Sequence, residues 1–380
     1  MNTAIYAIRK NEITESPVNN ELDCNKCQLV LGFGNKDLLA DSSHFGMLKN
    51  KFPNAQIVTC STAGEIFGTE VFDDSISVMA MEFMKTKISA VSVSINDFKD
   101  SFDAGVSLIK KFPVAGLRYV LVISDGSFVN GSELVRGIES VIKHKFPVTG
   151  GLAGDGTNFL STLAGLNEPP KSAQIIAVGF YGEDFIVSYG SMGGWDEFGL
   201  ERLVTKSTAN RLYEIENKSA IELYKSYLGK HADALPGSAL LFPLAVYIPG
   251  NEEPLVRTIL SIDEKDNCMV FAGDVPVGSK VRFMKANFDR IIHAASTAAE
   301  NSFNPHADRK PNAAILISCV GRKIILDKRV EEEVEAVAQA LGNKVLISGF
   351  YSYGEITPTT KNGKCDLQNQ TMTITTFDEK

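Results

Sequence analysis

One pattern occurs three times in this sequence, and it restricts the fold more than any other feature. An apolar run of strand length is followed by a helical segment, a second apolar run, a turn with glycine beside a carboxylate, and further strands. In the first copy QLVLGFG (28–34) is a strand, 36–51 has helical character, AQIVTCS (55–61) is a buried strand, and Gly64-Glu65 makes the turn. In the second, RYVLVISDG (118–126) precedes a helix over 132–145. Its Leu134, Val135, Ile138, Val141 and Ile142 share one face. FPVTGGLAGD (146–155) then ends in Gly154-Asp155. In the third, AAILISCVGRK (313–323) precedes a helical stripe of Val330, Val334, Val337, Ala338 and Leu341, and KVLISGFYSYGEI (344–356) carries Gly354-Glu355. The closing strands read as 76–83 with 88–95, 174–182 with 185–194, and 366–377. Hairpins of this kind exclude a purely parallel sheet. The expected fold class is α/β with mixed sheets, built from a repeated β-α-β-β unit. The period is too long for a solenoid.

A different stretch separates the second and third copies. WDEFG (195–199) reads as a polar loop, 203–215 as strand and bend, and SAIELYKSYLG (219–229) as a helix stopped by Gly229. Strands are expected at 240–248, 255–263 and 267–275. A helix is expected over 282–300, with Met284, Phe288, Ile291, Ile292 and Ala295 on one side. A domain boundary is expected near 195–203. Residues 1–26, weakly periodic and polar, read as an arm with at most one edge strand.

The chain has 380 residues, which at roughly 150 per domain predicts two or three domains. Its formal net charge of -8 argues against nucleic acid or an anionic membrane as partner. The short basic runs, Lys143 to Lys145 and Arg322-Lys323, read as solvated element ends. No apolar run is long enough to span a bilayer, and the N-terminal residues lack the apolar core of a secretory signal. A cytoplasmic protein is expected, with its six cysteines as thiols.

A strand ending in glycine lets backbone approach a ligand or another segment closely. Successive N–H groups in such a turn form an anion-binding nest. With a carboxylate beside it, the turn suits a zwitterion such as an amino acid. The plainer alternative is turn chemistry alone, the carboxylate capping the next element, and duplication would copy either. Cys60 lies where a strand-end nucleophile could be activated. The matching places in the other copies hold Gly150 or Gly151 and Gly349, which fits a demand for a small side chain, so no catalysis is expected. Cys24 and Cys27 form a lone pair without the second pair that structural zinc needs. His293 reads as exposed on its helix, His144 as a helix C-terminal charge, and His44 as lying on a helix flank. His231 and His306 read as loop residues. None has the setting of a metal or haem ligand.

Several segments together resemble the FIST family, its N-terminal and C-terminal domains in tandem, over nearly everything after residue 27. They are FPNAQIVTCSTAGEIFG, PVTGGLAGD, the stretch from GGWDEFG to VTKSTANRLYEI, IELYKSYLGKHADALPGSALLFPLAV, VRTILSIDEKDNCMVFAGDVPVGSKVRFMKANFDRII, and GFYSYGEITP with CDLQNQTMTI. The resemblance implies an arm over 1–26, an N-terminal FIST domain over 27–198 and a C-terminal one over 199–380. It implies a sensory module that binds a small ligand, an amino acid or related metabolite. Signalling would pass through a separate partner such as a histidine kinase or a cyclic-di-GMP enzyme. The alternative it implies is a haem-binding nitric-oxide sensor, as in some stand-alone bacterial members. The family's final motif usually reads Cys-x-Leu-His-Asn-Gln-Thr, and here Gln368 stands in place of that histidine. His293 stands where an acidic or small residue is common.

The expected ligand site therefore draws Ser61, Thr62 and Glu65 from the first copy and Gly154 and Asp155 from the second. Tyr351, Tyr353 and Glu355 come from the third, with Asn369, Gln370 and Thr371 on the closing strand. The carboxylates would hold an ammonium group, while hydroxyls, amides and backbone N–H groups would orient the ligand. Arg257, on a strand, is the candidate partner for a ligand carboxylate.

Overall fold

In the computed structural model, which describes residues 1–10, 12–16, 21–235, 237–251, 253–303, 310–360 and 363–380, the three copies form three sheets of six strands each. Each sheet is built on one parallel pair: Leu29–Gly34 with Gln56–Ser61, Leu117–Ser124 with Val148–Leu152, and Ala313–Cys319 with Leu346–Ser352. The copy's own hairpin strand pairs antiparallel beside it, as Ile76–Glu82, Gln174–Tyr181 and Met372–Glu379. Two glycines are required inside these pairs. A Cβ at Gly150 would lie 1.9 Å from the Val122 carbonyl oxygen, and one at Gly349 1.9 Å from that of Leu316.

The remaining strands are exchanged in a circle. After each repeated turn the chain crosses to another copy's sheet. Glu65–Phe67 joins the third sheet, Ala164–Leu166 the first and Gly354–Pro358 the second. The second hairpin strand is also passed on, Lys87–Ser94 to the second sheet and Phe185–Met192 to the third. The equivalent place in the first sheet is taken by Asn2–Arg9, paired with Ile76–Glu82. Residues expected as an arm are thus an inner strand, with Glu12–Glu15 outside it. The Met1 amino group lies 3.4 Å from the Glu379 carboxylate, where the two ends of the circle meet.

The inner faces of the three sheets share one core, in which Phe33, Tyr119, Phe180, Phe350 and Phe377 are fully buried. Helices cover the outer faces: Lys36–Ala40 and Ser42–Lys51 on the first sheet, Ser101–Lys110 and Gly131–Ile142 on the second, and Phe288–Asn301 and Val330–Leu341 on the third. Side chains of Asn35, Asp41, Asp100, Asn130 and Asn287 cap their N-termini. The cap at Asn287 corrects the helix expected over 282–300. Lys280–Lys285 is a strand, the helix begins at Phe288, and Phe288 is exposed while Ile291, Ala294, Ala295, Ala298 and Ala299 make the buried stripe.

Residues 196–285 form an insert between the second and third copies, with its own eight-stranded sheet and core. The boundary expected at 198/199 falls inside its first strand, Asp196–Thr208. Trp195, Ala245, Met284, Ile291, Ile325 and Leu326 form an apolar cluster where the insert leaves and rejoins the third copy. No helix among the described residues is long and apolar enough to cross a membrane.

Candidate ligand-binding site

The three repeated turns meet at one end of the molecule and bond to each other in a ring. Ala63 N–H donates to the Tyr351 carbonyl at 2.8 Å, and Tyr351 N–H to that of Gly64 at 2.8 Å. Tyr353 N–H donates to Leu152 at 3.1 Å, and Gly154 N–H to Ser61 at 2.9 Å. Glycine at 154 is set by this contact, because a Cβ there would lie 2.8 Å from the Ala63 nitrogen. The Ser61 hydroxyl accepts from Leu163 N–H at 2.8 Å.

The carboxylates of the first and third turns have the same surroundings. Thr62 donates to Glu65 at 2.6 Å, and Ser75 donates its N–H and hydroxyl to the other oxygen at 3.1 and 3.0 Å. Ser352 donates to Glu355 at 2.6 Å, and Thr371 its N–H and hydroxyl at 3.2 and 2.9 Å. Both side chains are buried, and burial pushes their carboxyls up, Glu65 to about 7 and Glu355 to about 8. The second turn departs from this. The pairings Gly34 with Ser61, Ser124 with Leu152 and Ser318 with Tyr351 put Asp155 in register with Gly64 and Gly354, one residue ahead of the glutamates. Asp155 accepts from Leu160 and Ser161 N–H at 3.1 and 3.0 Å and from the Tyr353 hydroxyl, with the Lys36 ammonium at 3.9 Å. The same register makes Phe350, not Gly349, the third copy's equivalent of Cys60, which corrects the expected demand for a small side chain there. Cys60 is fully buried in the shared core, and burial pushes its thiol up.

Thus Ser61, Thr62, Glu65, Gly154, Asp155 and Tyr353 come together, but as a bonded junction in which each carboxylate is enclosed by its own turn. Arg257 lies elsewhere. Its guanidinium donates to the carbonyls of Asp274 and Leu367, each at 2.9 Å, fastening the insert to strand Cys365–Gln368. Burial lowers its pKa to about 10.

A second cluster lies behind the third turn. Asn369 and Gln370 are fully buried, and neither side-chain amide has a hydrogen-bond partner. Their neighbour Arg322 is fully buried and pairs with Glu333 at 2.8 Å. It also donates to the carbonyls of Ile291, at 2.8 Å, and Gly193, and weakly to that of Gln370. Glu333 further accepts from the Tyr351 hydroxyl at 2.7 Å and from Ser318 at 3.3 Å. Neither Arg322 nor Glu333 was expected here, and Arg322 reads in the sequence as a solvated element end. The available signal was Glu333, which falls on the buried helical stripe between Val330 and Val337.

A groove of about 1530 Å³ opens beside this cluster. Strand Phe185–Met192 and Gly193 form one side, Thr357 to Thr360 with Gln368 and Thr371 another, and Glu253, Pro254 and Val256 of the insert a third. Thr357 is buried, and its hydroxyl has no partner. Thr371 lines the groove and donates to Glu355, so it joins the groove to the buried third turn. Gln368, where the family motif has histidine, also lines it.

The described lining holds no histidine or cysteine, and Tyr189 and Met192 are its side chains of haem-ligand type. His293 is exposed on its own helix, His144 contacts Glu139 at 3.0 Å, and His231 packs on Phe242, while His44 is buried. His306 lies outside the described residues. No cluster of three or more His, Cys, Asp or Glu suited to a metal ion occurs among the described residues.

Two structures of cyanuric acid hydrolase show a slight likeness to the chain. The one from A. caulinodans is 8% identical with a TM-score of 0.35, covering 100% of this chain and 99% of that one. The other, described as evolutionary innovation by structural concatenation, is 9% identical with a TM-score of 0.36 and the same coverage. Neither likeness is close enough to inform the site. No curated protein matches. The FIST N domain matches residues 28–218, and the FIST C domain residues 220–358. FIST domains are small-ligand sensory domains of signal transduction, and this chain, which carries both in tandem, belongs to the FIST family.

Proposed function

We propose that this protein is a cytoplasmic sensor that binds an amino acid or related metabolite without turning it over, and signals through a separate protein such as a histidine kinase or cyclic-di-GMP enzyme. The ligand would lie at the end of the groove where Gly193, Thr357, Gln368 and Thr371 converge. The carrying observation is the pair of buried carboxamides, Asn369 and Gln370, which have no protein partner and sit on the segment between Gln368 and Thr371. An unsatisfied buried polar group costs roughly 1–3 kcal/mol, and a polar ligand reaching this segment would offset that cost. Thr371 would transmit occupancy to Glu355, and Arg322, which lies over Trp195, to the apolar cluster that Trp195 shares with Ala245 and Met284 of the insert.

The haem reading has less support. The family histidine is replaced by Gln368, and the described groove wall offers only Tyr189 and Met192. Haem therefore enters no step here.

A thermal-shift screen of amino acids and related metabolites tests the reading. A binder should raise the melting temperature of the wild-type protein and lose its effect in Asn369→Leu and Thr371→Val. A binder that acts equally on wild type and both variants would refute this location. An absorption spectrum after expression with added haem tests the other reading, since a Soret band that moves with nitric oxide would replace the metabolite with haem.

A further inference from the structure

We propose that a hollow in the insert is a second small-molecule site, which takes a primary amine carried on an apolar body. Such a site is independent of whether a metabolite lies in the groove.

The hollow has a volume of about 590 Å³. That falls within the roughly 300–1,000 Å³ of small-ligand pockets, which the groove exceeds. Strands Asp196–Thr208, Leu244–Tyr247 and Lys280–Lys285 supply Glu197, Tyr247 and Lys280 to it. Tyr247 and Lys280 lie opposite each other on neighbouring antiparallel strands.

The rim is formed without a ligand. The turn after Tyr247 is closed by Asn251 N–H, which donates to the Ile248 carbonyl at 3.0 Å. The turn before Lys280 is closed by Ser279 N–H, which donates to the Pro276 carbonyl at 3.2 Å. Gly250 and Gly278, one in each turn, have φ of +91° and +86°, a backbone that glycine adopts without strain. A Cβ added at either would meet nothing within 4 Å, so both turns border open space.

The charges in the wall select the occupant. They are Glu197, Glu253 and Lys280. Both oxygens of Glu197 are taken, one by the Tyr247 hydroxyl at 2.6 Å and the other by Arg282 at 3.0 Å. The Lys280 ammonium donates to Glu201 at 3.1 Å. No described residue bonds to the Glu253 carboxylate. Net of these pairs the hollow keeps the charge of Glu253, which a cation balances and a zwitterion does not. Lys280 repels an ammonium group, which directs it toward Glu253. Tyr247, Pro249 and Pro254 supply the apolar wall, and an ammonium close to the Tyr247 ring adds a cation–π contact. Glu253 and Pro254 also line the groove, as does Val256 beyond them. An amine in the hollow would therefore pack behind a wall of the groove and be felt at Val256.

Calorimetric titration of the full chain with phenethylamine tests this, beside phenylpropionate as a carboxylate of similar shape. The amine should bind saturably, with a Kd of about 1 mM or tighter, and the carboxylate at least about fivefold more weakly. Glu253→Gln removes the charge of an exposed residue, so the melting curve should stay that of wild type. Its affinity for the amine should fall about two- to fivefold. Tyr247→Leu removes the ring and should weaken binding about tenfold. Hydrogen exchange on the wild-type protein needs no variant, and bound amine should slow exchange over 247–256 and 278–280. Equal binding of amine and carboxylate, equal affinity for Glu253→Gln, or protection only outside these segments would overturn the proposal. So would the absence of saturable binding below about 10 mM. Metabolite thermal shifts lost in Asn369→Leu and Thr371→Val, with no amine binding, would sink the hollow alone. Amine binding that depends on Glu253, with no metabolite shift, would sink the groove reading alone.

Discussion

Replacing Glu333 by leucine would isolate the Arg322 guanidinium at a position with no solvent exposure. The variant removes the 2.8 Å ion pair and the acceptor for the hydroxyls of Tyr351 and Ser318. Stranding one member of a buried pair costs about 3–5 kcal/mol, so a loss of that size is expected. Arg322 retains its carbonyl contacts to Ile291, Gly193 and Gln370, which keeps the loss toward the lower end. The double variant Arg322→Met with Glu333→Leu removes both charges. Its remaining cost is the two hydroxyl bonds and the Arg322 bonds to the Ile291 and Gly193 carbonyls, at about 1 kcal/mol each, so roughly 4 kcal/mol in all. The double variant should therefore cost less than the losses of Arg322→Met and Glu333→Leu added together. Urea unfolding measures this directly, and the chain's single tryptophan, Trp195, lies 5.8 Å beneath the Arg322 guanidinium as a local fluorescence reporter. A Glu333→Leu loss under about 1 kcal/mol, or a double variant as costly as the two single losses together, would refute this account.

The buried carboxyls predict a pH dependence. Glu65 and Glu355 have folded pKa values raised by burial to about 7 and about 8, so the folded state holds protons that the unfolded chain releases near 4.5. Their contribution is fully present below about pH 4.5 and is lost as pH rises toward 7 and 8, on the order of a few kcal/mol. Glu65→Gln with Glu355→Gln should flatten the stability profile between those pH values, and an unchanged profile would show that neither group titrates there. Tyr353→Phe removes a donor to Asp155 and an acceptor for the N–H groups of Asp155 and Phe159. Faster amide exchange over 155–161 and a loss of about 1–3 kcal/mol are expected. Gly349→Ala should not fold, given the contact with Leu316. Gly46→Ala, on a helix with nothing within 4 Å, should gain about 0.5–1 kcal/mol in thermal or urea unfolding.

The sequence by itself determined the three units, because strand and helix periodicities are local. It also marked Gly154 and Gly349 as close-approach positions and singled out Asn369, Gln370 and Thr371. The tertiary structure decided where strands go once they leave their own unit. A short run such as Glu65–Phe67 has the same alternation whichever sheet it joins, and the choice of partner is made by backbone bonds across hundreds of residues. This is why Asn2–Arg9 read as an arm, although it fills the place that Lys87–Ser94 and Phe185–Met192 hold elsewhere. Burial was equally illegible from spacing. A carboxylate beside a glycine looks the same whether it faces a ligand or, like Glu65 and Glu355, is enclosed by Thr62 and Ser75 or Ser352 and Thr371. The Arg322–Glu333 pair was hidden because Arg322 read as a solvated element end and nothing in the spacing paired it with Glu333 until the third sheet and its helices closed around them.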